Sequence, residues 1–173
     1  MQDKFNQFFN QWNGKSIEFS DATNKYQCMD GAGKWCEFLG IPYEAIRHLY
    51  AYQVWTQPTA LTKKYFDLIP NGPVNTPQAG DLVVFGTKVG YAGHISIDKG
   101  KSNSRDYVGF EQNWNGKQYM TTVTHYNYYG ILGWLRPKTT QTVTGSIPKS
   151  SIAAIRDGGG SESEKYNRII NLL

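Results

Sequence analysis

Three segments of the chain carry side chains whose types, taken together, suit nucleophilic catalysis by a cysteine. Cys28 supplies a thiol, His94 supplies an imidazole, and Glu111 and Asn113 supply a carboxylate and an amide. A thiol attacks well only as a thiolate, and a nearby histidine or a helix N-terminus lowers its pKa from about 8.5. A carboxylate or an amide can hold that histidine in its reactive tautomer. These residues predict a cysteine nucleophile with a histidine base.

The residues around Cys28 predict that it begins a helix. Turn-forming residues fill positions 20–25, and apolar residues then recur at helical spacing until Gly40 and Pro42 end the pattern. One face of this helix carries Met29, Ala32, Cys36 and Leu39. Cys28 is therefore expected at a helix N-terminus, where the helix dipole stabilises a thiolate.

The rest of the chain predicts helices first and strands afterwards. The other predicted helices are residues 3–13, 44–50 and 59–68. The predicted strands are residues 81–85, 94–98, 107–112, 119–126 and 130–135. Glu111 and Asn113 are two apart on one of these strands, so their side chains are expected on the same face. Helices followed by an antiparallel meander predict an α+β fold.

Four sequence blocks occur in an order that matches a known family. They are Tyr26-Gln27-Cys28-x-Asp30, Pro77-x-x-Gly80-Asp81, Gly93-His94-Ile95-Ser96-Ile97 and Phe110-Glu111-Gln112-Asn113-Trp114. In this order they resemble the CHAP (cysteine, histidine-dependent amidohydrolase/peptidase) domain of bacteriophage endolysins and bacterial autolysins. The resemblance covers roughly residues 1–137. It implies the papain-like cysteine hydrolase fold and the hydrolysis of amide bonds in peptidoglycan.

The resemblance also implies a role for each site residue. Cys28 is the nucleophile, His94 is its base, Glu111 orients the histidine, and Asn113 is a fourth polar member. The sequence leaves open which of Glu111 and Asn113 bonds His94 directly. Gln27, just before the nucleophile, is a natural oxyanion-hole donor together with the Cys28 backbone N–H.

The remaining aromatic, cysteine and histidine residues have less specific predictions. Trp114 is expected on the opposite face of its strand from Asn113, where it either contacts substrate or packs in the core. Cys36 is predicted to be a buried core thiol, and His48 and His125 are predicted to be bystanders. The cysteines and histidines lack the paired spacing of a zinc site.

The loop before Cys28 raises the question of calcium. Several members of the CHAP family bind calcium there, and Asp21 and Asp30 match acidic positions of that loop, whereas Phe19 stands where the fullest version has another aspartate. Calcium takes about six to eight oxygen ligands. The prediction is that no cofactor is required. Calcium at Asp21 and Asp30 stays open against a turn or capping role for Asp21.

Composition limits the partners of the protein. The chain has 173 residues, of which 39% are hydrophobic, and this predicts a globular domain. Its net charge of +4 comes from scattered basic residues, a mild positive field that suits polyanionic cell wall. No basic helix or ribonucleoprotein motif accompanies the charge, so nucleic acid is not an expected partner. No stretch approaches the roughly 20 apolar residues of a membrane span.

The chain is predicted to divide near Pro137. Tyr166 is the only aromatic residue beyond that point, and residues 139–146 and 157–161 have linker composition. Residues 1–137 are therefore predicted to form the catalytic domain. Residues 138–173 are predicted to be a linker and the start of a further element, which in a longer protein leads to a wall-targeting domain.

The sequence supports one main function and two alternatives. The resemblance implies a peptidoglycan hydrolase of the phage endolysin kind, either an N-acetylmuramoyl-L-alanine amidase or an endopeptidase. The N-terminus has no signal-peptide pattern, which predicts synthesis in the host cytoplasm and action on the wall after holin-mediated release or from outside. The alternatives are a non-catalytic wall-binding or virion structural module of the same fold, and a related cysteine amidase with a non-wall substrate.

Overall fold

The computed structural model describes residues 1–19 and 25–138, in which helices precede a sheet. The helices are α1 (Gln2–Trp12), α2 (Cys28–Phe38), α3 (Gln53–Thr56) and α4 (Ala60–Tyr65), with 3₁₀ turns at Tyr43–Ala45 and Thr87–Val89. The strands are β1 (Phe66–Pro70), β2 (Leu82–Phe85), β3 (His94–Asp98), β4 (Asp106–Glu111), β5 (Thr121–Tyr126) and β6 (Ile131–Pro137). The predicted α+β class is confirmed. Within the described ranges, no helix is long and apolar enough to cross a membrane.

The sheet departs from the predicted meander at one edge. Its strand order is β1-β6-β2-β3-β4-β5, and neighbouring strands are antiparallel. Strands β2 to β5 follow each other as predicted, but β6 returns to lie between β2 and β1. The prediction of a helix through residues 59–68 is wrong beyond Tyr65, because Phe66–Pro70 pairs along β6. A short apolar segment does not distinguish helix from strand, and here a distant partner decides.

The predicted helix at residues 44–50 is also wrong. The structure has a 3₁₀ turn at Tyr43–Ala45, followed by turns up to α3. Helices this short are marginal on their own and depend on tertiary packing. By contrast, α1 follows its predicted pattern, because Phe5 and Phe8 are both buried against other elements.

One face of the sheet packs on the helices through an aromatic cluster. Phe8 of α1 lies 5.1 Å from the Trp35 ring of α2 and 6.3 Å from the Phe110 ring of β4. Phe5 contacts the same two rings at 6.1 and 6.0 Å. Edge-to-face aromatic pairs at such distances are favourable beyond the area that they bury. The cluster fixes α2 over β4.

The opposite face of the sheet has its own cluster of buried side chains. It contains Val83, Phe85, Tyr107, Ile131 and Trp134. Successive side chains of a strand alternate between faces. His94 lies directly opposite Phe85 in the β2–β3 pairing, and Tyr107 lies opposite His125 in the β4–β5 pairing. The start of β3 and the end of β5 therefore present two histidines to this second face.

The predicted start of α2 at Cys28 is confirmed. Gln27 is the N-cap residue, and its backbone N–H donates to Asp30 Oδ2 at 2.7 Å. This contact satisfies one backbone donor next to the helix and places a carboxylate in the first turn. At the other end, Gly40 has a φ of 73°, a left-handed conformation that glycine adopts without strain and that commonly ends helices. The sequence pattern therefore identified both ends of α2.

Candidate active site

Cys28 is the first residue of α2 and is half-buried. Burial alone raises the pKa of its thiol. The charge and the hydrogen bond of His94, with backbone hydrogen bonds at Ile95 and Met29, outweigh that effect and lower the pKa below its ordinary value. The position at a helix N-terminus acts in the same direction. Of the two cysteines, Cys28 is thus the one whose environment favours the thiolate.

His94 is the first residue of β3 and is buried. Its Nε2 lies 2.6 Å from Glu111 Oε2, which leaves Nδ1 as the ring nitrogen for Cys28. Burial lowers the pKa of His94, but the Cys28 thiolate and the Glu111 carboxylate raise it to about 10. Because the pKa of Cys28 falls while that of His94 rises, the two side chains favour a thiolate–imidazolium pair.

The glycine before His94 shapes the turn that leads into β3. Gly93 has a φ of 66°, in the left-handed region that residues with a Cβ adopt with strain. A Cβ at this position would also collide with the carbonyl oxygen of Phe85 on the neighbouring strand. Close packing of the turn on β2 therefore requires glycine here, and it positions His94 at the very start of the strand.

Glu111 is the last residue of β4, and its buried carboxylate has two histidine partners. Oε2 lies 2.6 Å from His94 Nε2, and Oε1 lies 2.6 Å from His125 Nε2. Burial raises the pKa of Glu111, but the hydrogen bonds of His125 and His94 lower it below its ordinary value. An ionised carboxylate only accepts hydrogen bonds, so both histidines donate from Nε2. Of the two predicted orienting residues, Glu111 is the one that bonds His94.

Asn113 does not share a strand face with Glu111, so the geometry predicted for this pair is wrong. Strand β4 ends at Glu111, and Asn113 has a φ of 63° in the turn that follows. Asparagine tolerates this left-handed conformation better than most residues. Its Nδ2 donates to Gln27 Oε1 at 3.0 Å. Asn113 therefore supports the residue before the nucleophile, and the histidine is held by Glu111.

Gln27 and Gln112 join the start of α2 to the end of β4. The Gln27 side chain donates from Nε2 to the Lys25 carbonyl at 3.0 Å. Gln112 is buried, and its Nε2 donates to the carbonyls of Gln27 at 3.1 Å and Ile17 at 2.9 Å. Its Oε1 accepts from the Ile17 N–H at 2.7 Å. Sequence reasoning gave Gln112 no role, although it lies within the matched block, because the contacts of a buried glutamine are not visible in the sequence.

His125 was predicted to be a bystander, but the structure places it in contact with Glu111. Its Nε2 contacts Glu111, and its ring lies among three aromatic rings. The ring centroids of Trp114, Phe85 and Tyr107 are 4.5, 4.9 and 5.4 Å from it. The pairing register of β4 with β5 places His125 beside Glu111, and local sequence does not reveal that register.

Trp114 lines a cavity of about 550 Å³ beside the histidine. Its half-buried ring lies 5.0 Å from that of His94. The cavity walls are formed by Val89, Gly93, His94, Asn113, Trp114, Asn115, Thr124, His125, Tyr126 and Tyr129. Trp114 thus occupies the rim of an opening that reaches the base of the site, which favours the substrate-contact alternative over a place in the core.

The calcium prediction receives no test from the described residues. Asp21, Thr23 and Asn24 lie outside them. Asp30 is buried, and its carboxylate accepts the Gln27 N–H at 2.7 Å and the Phe19 N–H at 3.4 Å. These contacts fit the cap of α2. Within residues 1–19 and 25–138, no three His, Cys, Asp or Glu side chains cluster as a metal site. Calcium at Asp21 and Asp30 stays a prediction.

Comparisons with known proteins find a relative named a probable autolysin and solved structures that share the fold. No family model matches it. It is 34% identical over 116 residues to the probable autolysin PH of Staphylococcus aureus, a match covering 60% of this chain and 23% of that protein. Its fold is similar to that of the endolysin LysIME-EF1, with a TM-score of 0.60, 22% identity, and coverage of 78% of this chain and 62% of that one.

A second solved structure with this fold is Ly7917 with the hydrolyzing product of MDP. Its TM-score is 0.58 at 15% identity, covering 79% of this chain and 63% of that chain. At this level of identity the two structures establish a shared fold. The chain spans about a quarter of the length of the autolysin and under two thirds of each solved structure.

Proposed function

We propose that this protein is a peptidoglycan hydrolase of the CHAP type that cleaves an amide bond with Cys28 as nucleophile. The observation that carries the proposal is the arrangement of three side chains: Cys28 begins α2 and is hydrogen-bonded to His94, and Glu111 Oε2 lies 2.6 Å from Nε2 of that histidine. In this arrangement His94 lowers the pKa of the Cys28 thiol. A reactive thiolate paired with an imidazolium is the resting state that nucleophilic cysteine catalysis requires. Similarity to an autolysin and the fold of endolysins support peptidoglycan as the substrate.

The first half of the reaction forms a thioester. The Cys28 sulfur attacks the carbonyl carbon of the scissile amide, and the carbonyl oxygen becomes an oxyanion. As the C–N bond breaks, His94 gives its Nδ1 proton to the leaving nitrogen and becomes neutral. Glu111 holds the ring through Nε2 in both states, since it accepts that hydrogen bond whether or not Nδ1 is protonated.

The second half releases the acid product. A water molecule attacks the thioester carbonyl, and His94 Nδ1 takes the proton that the water loses. The C–S bond then breaks, which regenerates the thiolate beside the imidazolium. Charges and protons balance over the cycle, because one water is consumed and one amine and one carboxylic acid are released.

The oxyanion is assigned to Gln27 and to the backbone N–H of Cys28. The first N–H groups of a helix have no carbonyl partner within the helix, so the Cys28 N–H is suited to accept this charge. The Gln27 Nε2 carries two hydrogens. One is donated to the Lys25 carbonyl, and we assign the other to the oxyanion. Asn113 holds the opposite atom of the same amide, Gln27 Oε1, and so fixes its orientation.

The cavity beside His94 is the proposed place for part of the substrate. Trp114 on its rim and the exposed rings of Tyr126 and Tyr129 offer apolar faces for ring or peptide contacts. The site of action is the bacterial cell wall, and no cofactor takes part in the proposed steps. The bond that is cut, N-acetylmuramoyl–L-alanine or a peptide bond, is left to experiment.

A turbidity assay on purified Gram-positive cell walls tests this function. We expect the wild-type protein to clear the suspension and iodoacetamide treatment to stop the clearing. Free alanine N-termini among the products identify an amidase, and other new N-termini identify an endopeptidase. Protein that binds the walls without clearing them would support a non-catalytic module instead. Hydrolysis of soluble amides by protein that leaves walls intact would support a non-wall cysteine amidase.

A further inference from the structure

One buried carboxylate serves two histidines in this molecule. The Glu111 oxygens each lie 2.6 Å from an imidazole Nε2, one on His94 and one on His125. All three side chains are buried on the same face of the sheet. The proposed chemistry uses His94 alone, so the second histidine has no part in the steps described above.

We propose that His125 is a positioning residue of the site, which donates from Nε2 to Glu111 Oε1 and so directs Oε2 at His94. The inference rests on the cysteine mechanism proposed above. His125 itself does not contact the nucleophile or move a proton in this account. It acts through Glu111.

The hydrogen bond from His125 helps to hold the Glu111 carboxylate in one orientation. A glutamate side chain has several rotatable bonds, and one hydrogen bond does not fix its carboxylate. The second bond from His125 fixes it, provided that His125 itself cannot move. The rings of Phe85, Trp114 and Tyr107 surround His125. His125 is therefore anchored within a packed cluster, and it transmits that rigidity to Glu111.

The hydrogen bond from His125 also helps to keep the Glu111 carboxylate ionised. Burial raises the pKa of Glu111, and the hydrogen bonds of His125 and His94 are the main effects that lower it. Without the His125 donor, the buried oxygen loses its partner and the carboxylate holds a proton more readily. A protonated Glu111 no longer stabilises the His94 imidazolium. The pKa of His94 then falls, and that of the Cys28 thiol rises.

Among the described groups that face His125, Glu111 is the one that carries a charge at neutral pH. From β4, it meets Glu111 and Tyr107, and the pKa of Tyr107 is raised well above its ordinary value by burial. From β2 and from the turn after β4, it meets the uncharged rings of Phe85 and Trp114. Tyr107 therefore stays neutral in the relevant range.

Three substitutions separate the donor from the ring. His125→Phe keeps an aromatic ring for the cluster but removes the donor. His125→Gln removes the ring but places an amide nitrogen where Nε2 lies, whereas His125→Asn has the same amide on a shorter side chain that does not reach Glu111. Tyr107→Phe is the matched control, because it removes the hydrogen bond to Ser96 from the same cluster and leaves Glu111 untouched.

Two measurements are made on each variant. The first is the pH profile of wall lysis, with kcat and KM resolved. The second is the rate at which iodoacetamide labels Cys28 as a function of pH, which requires no substrate. In His125→Phe and His125→Asn we expect kcat to fall by about 10- to 100-fold, as lost outer hydrogen bonds typically cost. KM should stay unchanged, and the acid limb of the profile should move to higher pH.

The midpoint of Cys28 labelling in the same two variants should rise by about one pH unit, so that labelling at pH values below the wild-type midpoint slows by about tenfold. His125→Gln should restore most of both values. Tyr107→Phe should lower the melting temperature and leave labelling and the acid limb unchanged. If His125→Phe does not fold, the comparison of His125→Gln with His125→Asn decides.

Three results would overturn the inference. Unchanged labelling and an unchanged acid limb in a folded His125→Asn protein would reduce His125 to a packing residue. A rise in KM at constant kcat would make it a substrate contact of the cavity. Equal defects in the Gln and Asn variants would show that the ring matters and the donor does not. Because labelling needs no wall, these outcomes remain distinct from a failure of the proposed substrate.

Discussion

The two cysteines of this chain lie on one helix and have opposite chemistry. Cys28 begins α2 and is half-buried, whereas Cys36 stands further along the helix and is 0% exposed. His94 lowers the pKa of the Cys28 thiol, while burial raises the pKa of Cys36 far above its ordinary value. The prediction of Cys36 as a buried core thiol is confirmed.

The comparison separates what a helix provides from what the sheet provides. Burial raises the pKa of both thiols, so burial does not distinguish them. The helix N-terminus and the backbone N–H groups near Cys28 help its thiolate, and the decisive addition is the charge of His94, which arrives from β3. The thiolate character of Cys28 therefore depends on two features together: its position at the start of α2 and its contact with His94 of β3. Residue type alone does not create it.

Exchanging each cysteine in turn should give the largest contrast. Cys28→Ser is expected to lower the rate of wall lysis by at least about 10³-fold, because a hydroxyl is not ionised by His94 as a thiol is. Cys36→Ala is the matched control, and it should keep the rate while the free energy of unfolding falls by about 1 kcal/mol. Turbidity and thermal unfolding measure the two effects. A lytic Cys28→Ser protein, or a folded but inactive Cys36→Ala protein, would remove the contrast.

The residues that support Cys28 should rank by how directly they act on it. Glu111→Gln replaces the carboxylate that stabilises the His94 imidazolium, so the rate should fall by about 10²-fold. Asn113→Ala removes only the support of Gln27 and should cost on the order of 10-fold. Both proteins should unfold as cooperatively as the wild type. A larger loss in Asn113→Ala would reassign the orienting role.

The contrast between the two thiols should survive truncation. The Lys138 N–H, just after β6, donates to the Tyr65 carbonyl at the end of α4 at 2.8 Å, and a chain that ends at Lys138 keeps this backbone contact. We expect it to unfold cooperatively and to label Cys28 at the wild-type rate, with changes confined to wall affinity. Slower labelling, or loss of cooperative unfolding, would show that the predicted boundary is misplaced.

Chelation should have the smallest effect. Asp30 accepts the Gln27 N–H at the start of α2, a capping role that needs no metal, so removing calcium is expected to leave most of the lysis rate. The test is the rate and the melting temperature with EDTA, and again after calcium is restored. Parallel losses that calcium reverses and that Asp21→Ala reproduces would establish a calcium site next to the nucleophile.

Local features of the site were predictable from the sequence, and long-range ones were not. The start of α2 at Cys28 and the strand at His94 follow from turn residues and periodicity within a few positions of each residue. His125 meets Glu111 only through the pairing of β4 with β5, and β1 forms only because β6 returns beside it. Such registers depend on the whole sheet.

The turn at Asn113, which was predicted to lie on a strand, could have been identified from the sequence. Asn113 precedes Trp114, Asn115 and Gly116, and asparagine with glycine is typical of turns. The strand pattern of residues 107–112 obscured it, and the same-face geometry followed from extending that strand too far. Gln112 had no comparable signal, since its role appears only when Gln27 and Ile17 are brought to it.

Iodoacetamide labelling of both cysteines as a function of pH, resolved by peptide mass spectrometry, tests the thiolate–imidazolium pair most directly. The lowered pKa of Cys28 predicts fast labelling with a midpoint below the value of about 8.5 for a free thiol. The labelling rate should change again near pH 10, where His94 loses its proton. Cys36 should react slowly throughout. Equal rates at the two cysteines, or a Cys28 midpoint at or above that of a free thiol, would contradict the account.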